Sequence, residues 1–325
     1  MKKQIINEIQ RKMLPYLNNE QLLHLKAVLE VSFQGVIIEM GEEQPKVDEQ
    51  DSVAAFITAK RIEGCSEKTL AYYSKTIEAM LNGVGKSPQQ ITTDDLRKYL
   101  TDYQTQRRSS KVTIDNIRRI LSSFFSWLED EDFIVKSPVR RIHKVKTAKI
   151  IKETYTDEAL ELMRDNCSTV RDLAIIDLLA SSGMRVGELV TLNREDINFN
   201  ERECVVFGKG NKERLAYFDA RTKIHLQNYL DERSDSNPAL FVTLKEPHER
   251  LMIGGVETML RELGRRLKLN KVHPHKFRRT LATSAIDKGM PIEQVQQLLG
   301  HQKIDTTMHY AMVKQQNVKL AHRKF

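Results

Sequence analysis

Apolar residues recur every three or four positions through most of this chain, so it reads as one helix after another. In LPYLNNEQLLHLKAVLEVSF, Leu22, Leu25, Val28 and Leu29 fall on one stripe, and residues 1 to about 40 are expected to be helical with a face to bury. The stretch GEEQPKVDEQD, Gly41 to Asp51, is polar and contains a proline, which predicts a linker. From Ser52 to Pro138 the pattern predicts four short helices. VAAFITAKRI is the first, and KTLAYYSKTIEAML the second, stopped by Gly83 and Gly85. The third starts at TTDDLRKYL, where Thr92 and Asp95 form a capping-box pattern. The fourth, VTIDNIRRILSSFFSWLED, places Ile117, Ile120, Leu121, Phe124, Phe125 and Leu128 on one side. Four short helices with polar turns make a compact bundle.

The second half opens with a helix in YTDEALELMRDN, with Asp157 and Glu158 in the first turn, where the helix dipole favours acids. VRDLAIIDLLASSG is apolar on most sides, which predicts a buried helix. The one clear β signal is ECVVF and RLAYF flanking GKGNKE, a hairpin with a Gly-rich turn. Helices resume near Gly254 and continue through HPHKFRRTLATSAIDKG and PIEQVQQLLG, with Pro291 at a helix start. The expected fold is therefore mainly α with a small antiparallel β-sheet. Length points the same way as pattern, since 325 residues exceed one ordinary core. The expected division is an extension and linker at 1–46, a helical domain at 48–138 and a second domain at 150–325.

Charge narrows the class of partner. Lys and Arg number 52 against 44 Asp and Glu, a net +8, which favours a polyanion, nucleic acid first and an acidic membrane surface second. VKSPVRRIHKVKTAKIIK, residues 135 to 152, carries Lys136, Arg140, Arg141, Lys144, Lys146, Lys149 and Lys152 and no acid. It is either a solvated linker or a strap across a phosphate backbone, with Arg140, Arg141, Lys144 and Lys146 as candidate DNA contacts. Three scattered cysteines, Cys65, Cys167 and Cys204, argue against a disulfide framework or zinc site and fit a reducing cytoplasm. The charged MKKQIINEIQRKM lacks the apolar core of a signal peptide. No run of 18 apolar residues exists to span a membrane. A cytoplasmic protein is expected.

The candidate chemistry starts at LLGHQKIDTTMHY, where a glycine closes an apolar helix, His301 follows at once and Tyr310 comes a short step later. A phenol has a pKa of about 10 and is a poor nucleophile unless something takes its proton. Its attack on phosphorus would build charge on the non-bridging oxygens, which a pair of Arg forks suits. The leaving alkoxide would need an acid. Such parts are present in order: Arg185 in SSGMRVGEL, Lys209 in GKGNKER, His275 and Arg278 one helical turn apart in HPHKFRRT, then His301 and Tyr310. Taken singly, each has an ordinary explanation: a surface cation, a solvated turn lysine, a histidine at a helix end, a core aromatic. His273 and His309 are read as structural. His273, His275, His301 and His309 do not make a metal set, because no carboxylate or Cys lies at ligand spacing. RELGRRLK, from Arg261, reads as a solvated or DNA-facing helix.

Five spaced elements in one order are far more specific than any one of them. On these motifs the chain resembles the tyrosine recombinase (phage integrase) family, close in pattern to its Xer-type members. The resemblance covers residues about 150 to 315 strongly; residues 48 to 138 are similar in size and position to the family's helical, SAM-like core-binding domain. It implies that Tyr310 attacks the scissile phosphate and holds the 3′-phosphoryl DNA end as an ester. Arg185 and Arg278 would clamp the phosphoryl oxygens, and Lys209 would protonate the departing 5′-oxygen. His275 would accept the Tyr310 proton, and His301 would support the phosphate or the tyrosine. It also implies double-stranded DNA as partner, a homotetramer on DNA, a directionality protein as a possible accessory, and no cofactor or metal. One departure is visible: the family often has His directly after the second Arg, and here that residue is Arg279, an alternative phosphate ligand. Three rival readings stand beside this one: a type IB topoisomerase, a DNA-binding protein that has lost catalysis, and a metal-dependent nuclease.

Overall fold

The computed structural model describes residues 2–36, 49–147, 153–208, 213–301, 303, 304, 307 and 308. The chain divides into two compact units, Met1–Ala148 and Lys149–Phe325. None of the described helices is long and apolar enough to cross a membrane.

The first unit begins with a helical hairpin, α1 (Lys2–Met13) and α2 (Asn19–Ser32). Asn18 caps α2, its side chain accepting from the Gln21 N–H while the Gln21 side chain accepts from its own. The expected apolar stripe of α2 is only partly covered. Leu22 is buried and Leu25 and Leu29 are half-buried, but Val28 is 48% exposed. The four-helix bundle follows as α3 (Glu49–Ile62), α4 (Glu67–Val84), α5 (Thr93–Arg107) and α6 (Lys111–Asp130). Helix α3 starts inside the stretch expected to be linker. Gly85, not Gly83, stops α4: it adopts φ +67° and donates its N–H to the Leu81 carbonyl. Gly83 lies within the helix against Tyr99, where an added Cβ would come within 3.0 Å of the ring. The Thr92–Asp95 capping box forms, and α6 buries all six residues assigned to its apolar side.

The basic stretch after α6 is not a free linker along its first part. Val139 is buried, and Ile142 and Val145 pack on the bundle core. Thr93 donates to the Pro138 carbonyl, and Asp115 accepts from the Val145 N–H. Residues 148–152 lie outside the described residues.

The second unit is built around α8 (Val170–Ser182), whose Ala174, Ile175, Ile176, Leu178 and Leu179 are fully buried. Helices α7 (Asp157–Asp165), α10 (Ala220–Asp231) and α12 (Pro274–Asp287) pack on it. Asp177 of α8, almost wholly buried, accepts from Arg164 Nε at 2.5 Å and pairs with His225 Nδ1, tying α7 and α10 to the central helix. The hairpin forms as expected from β2 (Glu203–Phe207) and β3 (Glu213–Tyr217), with Val206 opposite Arg214. A short third strand, β1 (Ile197–Asn198), joins β2 antiparallel. Cys204, Val206 and Ala216 turn inward to the core. The remaining helices are α9 (Val186–Thr191), α11 (Ile253–Arg266) and α13 (Ile292–Leu299). Neither α9, α10 nor β1 was expected from the pattern. The sequence signal for α10 is Asp219, whose carboxylate accepts from the Thr222 N–H as a helix cap.

Candidate active site

Three segments far apart in the chain meet at the C-terminal end of α13. The first is the turn after α8. Gly183 closes that helix at φ +59°, and a Cβ there would lie 2.7 Å from Leu281 and 3.1 Å from Leu299. Arg185 then caps α9. Its backbone N–H donates to Glu188 Oε2 at 2.8 Å, and its Nη1 donates to Oε1 at 2.7 Å. Among the described residues its other guanidinium N–H groups have no hydrogen-bond partner, and the side chain is 38% exposed.

Glu188 is 3% exposed and receives a third donor, Arg214 Nη2, at 2.8 Å. Burial pushes its carboxyl pKa up, but the Arg185 N–H and the Arg214 and Arg185 charges outweigh this and hold it below the usual carboxylate value.

The second segment is α12. Arg278 is 3% exposed and bridges two backbone turns: Nη1 donates to the Gly183 carbonyl at 2.7 Å, and Nη2 to the Leu299 carbonyl. These bonds use two of the five donors of a guanidinium. They also place a cation against the last carbonyls of α13, where the dipole favours it. His275 lies in the first turn of α12, exposed, one turn before Arg278.

The third segment is the end of α13. Gly300 closes it at φ +62°, and His301 follows, half-buried, its N–H on the Gln296 carbonyl. His301 Nδ1 is 2.8 Å from the hydroxyl of Thr307, which is fully buried. The imidazole is pushed down to about 4, first by burial and then by the charges of Arg278, Arg185 and Arg214. It is therefore neutral at pH 7, an uncharged ring in the field of three guanidinium charges. An arrangement of this kind, with fixed cations and a neutral hydrogen-bonding ring, suits an oxyanion that gains charge during reaction.

Lys209 and Tyr310 lie outside the described residues, as does His309. Arg279, expected as an alternative phosphate ligand, is directed elsewhere: its Nη1 donates to the Glu153 carbonyl at 2.7 Å. Helix α12 is also held to the chain just before α7 by the Tyr155 hydroxyl, which accepts from the His273 N–H, and by Thr280, which accepts from the Tyr155 N–H. Arg140, Arg141, Lys144 and Lys146 are all exposed on the first unit. Arg140 does meet one acid, Glu129 of α6, at 3.4 Å. Glu188 and Arg214 were not identified from the sequence. The signal for Arg214 was present: it falls on an inward position of β3, next but one to buried Ala216, where alternation calls for an apolar residue. Among the described residues no group of three His, Cys, Asp or Glu side chains could hold a metal ion.

The same two regions match known protein families. Residues 149–317 match the phage integrase family, and residues 53–134 its N-terminal SAM-like domain. A tyrosine recombinase XerC of Leptospira interrogans is 32% identical over 291 residues, covering 84% of this chain and 92% of the relative. In fold the chain is similar to the XerH site-specific recombinase bound to a palindromic difH substrate, with TM-score 0.68 and 18% identity, covering 98% of this chain and 94% of that one. It is similar also to a lambda integrase dimer bound to a COC′ core site, with TM-score 0.68 and 20% identity, covering 82% and 96%. These likenesses lend no support to the topoisomerase or non-catalytic readings. The chain belongs to the phage integrase family, as a Xer-like tyrosine recombinase, a site-specific DNA recombinase.

Proposed function

We propose that this recombinase cuts and rejoins duplex DNA through a 3′-phosphotyrosine at Tyr310. The observation that carries the reading is the meeting of Arg185, Arg278 and a neutral His301 at the end of α13. Tyr310 Oη attacks the scissile phosphorus while His275 takes its proton. The bond from phosphorus to the 5′-oxygen breaks, and Lys209 supplies the proton that this oxygen needs. Arg185 and Arg278 hold the non-bridging oxygens as charge builds. His301, its Nδ1 engaged by Thr307, acts through Nε2 on the same phosphate. A 5′-hydroxyl of another strand then attacks the phosphotyrosine, so one phosphodiester replaces another and no ATP or metal is required.

Arg140, Arg141, Lys144 and Lys146 contact phosphates, and the affinity they contribute falls with salt. Exchange between two duplexes uses a tetramer, because four strands are cut. The tail after Tyr310, residues 311–325, docks on a neighbouring subunit. The reaction takes place in the cytoplasm.

The test is a nicked suicide duplex drawn from DNA beside the protein's own gene, incubated with EDTA and resolved on a denaturing gel. A covalent adduct lost in Tyr310→Phe supports the reading. An adduct that persists in Tyr310→Phe, or that EDTA abolishes, refutes it. Truncation before Val318 should weaken synapsis and spare DNA binding; unchanged synapsis refutes the docking.

A further inference from the structure

Arg214 occupies a costly position. It is the inward-facing partner of Val206 on β3, its side chain is 13% exposed, and its Nη2 lies 2.8 Å from the buried Glu188. A buried ion pair of this kind contributes little net stability, because desolvation offsets the attraction, and an apolar side chain of similar volume would serve the fold as well. The remaining contacts say what the guanidinium does there. Nη1 donates to the Leu298 carbonyl at 3.0 Å, in the last turn of α13. Gly300 rests on the side chain, so that a Cβ at that position would come within 2.8 Å of Nε and closer still to Cδ. One guanidinium thus joins three pieces: strand β3, the carboxylate that orients Arg185, and the turn that presents His301.

Arg278 makes a parallel tie one residue further along α13, from the Gly183 carbonyl to the Leu299 carbonyl. Two arginines therefore hold consecutive carbonyls of the same helix end, each anchored on one side of Arg185. A planar fork with donors at fixed angles can do this; a lysine, with one point charge, can reach one end or the other. Arg214 also divides Glu188 with Arg185, taking Oε2 while Arg185 Nη1 takes Oε1. The carboxylate is held by both cations and does not fold fully around Arg185.

We propose that Arg214 is a positioning residue of the active centre, setting the distance between the Arg185 box and the His301 turn. This rests on the roles given above to Arg185 and His301. It predicts that Arg214 touches no DNA atom, yet governs the rate of strand cleavage.

The test compares Arg214→Met, which keeps volume and removes the fork, with Arg214→Lys, which keeps charge and removes the two-ended tie. Three readouts are taken: duplex affinity at fixed salt, the rate of covalent adduct formation on the nicked duplex, and the pH midpoint of the His301 ring by NMR, assigned with His301→Gln. The expected result is affinity within about twofold, adduct formation about 100-fold slower in Arg214→Met, the size of loss seen when one oxyanion donor is removed, and partial recovery in Arg214→Lys. The His301 midpoint should rise in Arg214→Met, because a facing cation is lost and the turn opens to water. Adduct formation at the wild-type rate in a folded Arg214→Met, or an unmoved His301 midpoint, overturns the proposal. If Arg214→Met does not fold, Arg214→Lys decides: full wild-type rate with an unmoved midpoint overturns it. If the wild-type protein forms no adduct on any duplex, the phosphotyrosine reading fails, and the His301 midpoint alone still decides whether Arg214 sets the turn.

Discussion

Gly300→Ala tests whether the His301 turn depends on its contact with Arg214, and a second glycine supplies the control. Gly85 and Gly300 both close helices in the left-handed region, at φ +67° and +62°. An alanine costs about 1 kcal/mol in that conformation. Nothing lies within 4 Å of a Cβ at position 85, so Gly85→Ala should lose only that amount. At position 300 the new Cβ overlaps Arg214 Cδ and Nε, and Arg214 is tied at both ends, to Glu188 and to the Leu298 carbonyl. The side chain cannot swing aside without giving up a charged hydrogen bond, worth about 1.5–3 kcal/mol. Gly300→Ala should therefore cost about 3 kcal/mol in all, an excess of about 2 over the control. For a unit of this size that excess lowers Tm by about 4–8 °C. The assay is thermal unfolding of wild type and both variants. Trp127, the single tryptophan, packs on the first unit's core and reports that unit by fluorescence, while far-UV circular dichroism follows both. A Gly300→Ala shift no larger than that of Gly85→Ala would refute the idea that Arg214 braces the turn.

Arg185→Ala should slow adduct formation about 100-fold, on the order of 3 kcal/mol in the transition state, with duplex affinity little changed; cleavage at the normal rate would contradict its role. Arg279→Ala removes a hydrogen bond to the Glu153 carbonyl. It should slow cleavage far less than Arg278→Ala, and an equal loss in the two would return Arg279 to the phosphate. His301 titrates near 4 in the folded chain against 6.5 for the free side chain. Between these values the unfolded state binds the extra proton, so His301's contribution to stability is complete above about 6.5 and is lost as pH falls toward 4. Urea unfolding at pH 7, 5.5 and 4.5 should show wild type losing more stability across this range than His301→Gln; parallel losses would rule out the depressed titration.

Local order is legible in the amino-acid pattern alone. The period of apolar residues marks α3 to α8 and α11 to α13, Thr92 and Asp95 mark a helix start, and the alternation of ECVVF and RLAYF marks a hairpin. These signals act over one to five turns, where spacing alone decides which side chains share a face. The order Arg185, Lys209, His275, Arg278, His301, Tyr310 is legible too, because a set of chemical groups in sequence can be recognised without knowing where each lies. Tertiary structure decided the rest. Glu188 reads as an ordinary helix residue until Arg214, from a distant strand, arrives on its second oxygen. Arg279 reads as a phosphate ligand by spacing, but packing turns it to Glu153. The basic stretch after Pro138 reads as either a solvated linker or a strap for phosphates, and its sequence does not show that Val139, Ile142 and Val145 dock its first part on the bundle. Gly83 and Gly85 look alike in sequence, and only the Tyr99 ring beside one and the left-handed turn at the other tell them apart. A residue's type and spacing determine what it can do within its own helix or strand. Which buried charges meet across elements depends on packing between segments tens of residues apart, and no local pattern carries that information.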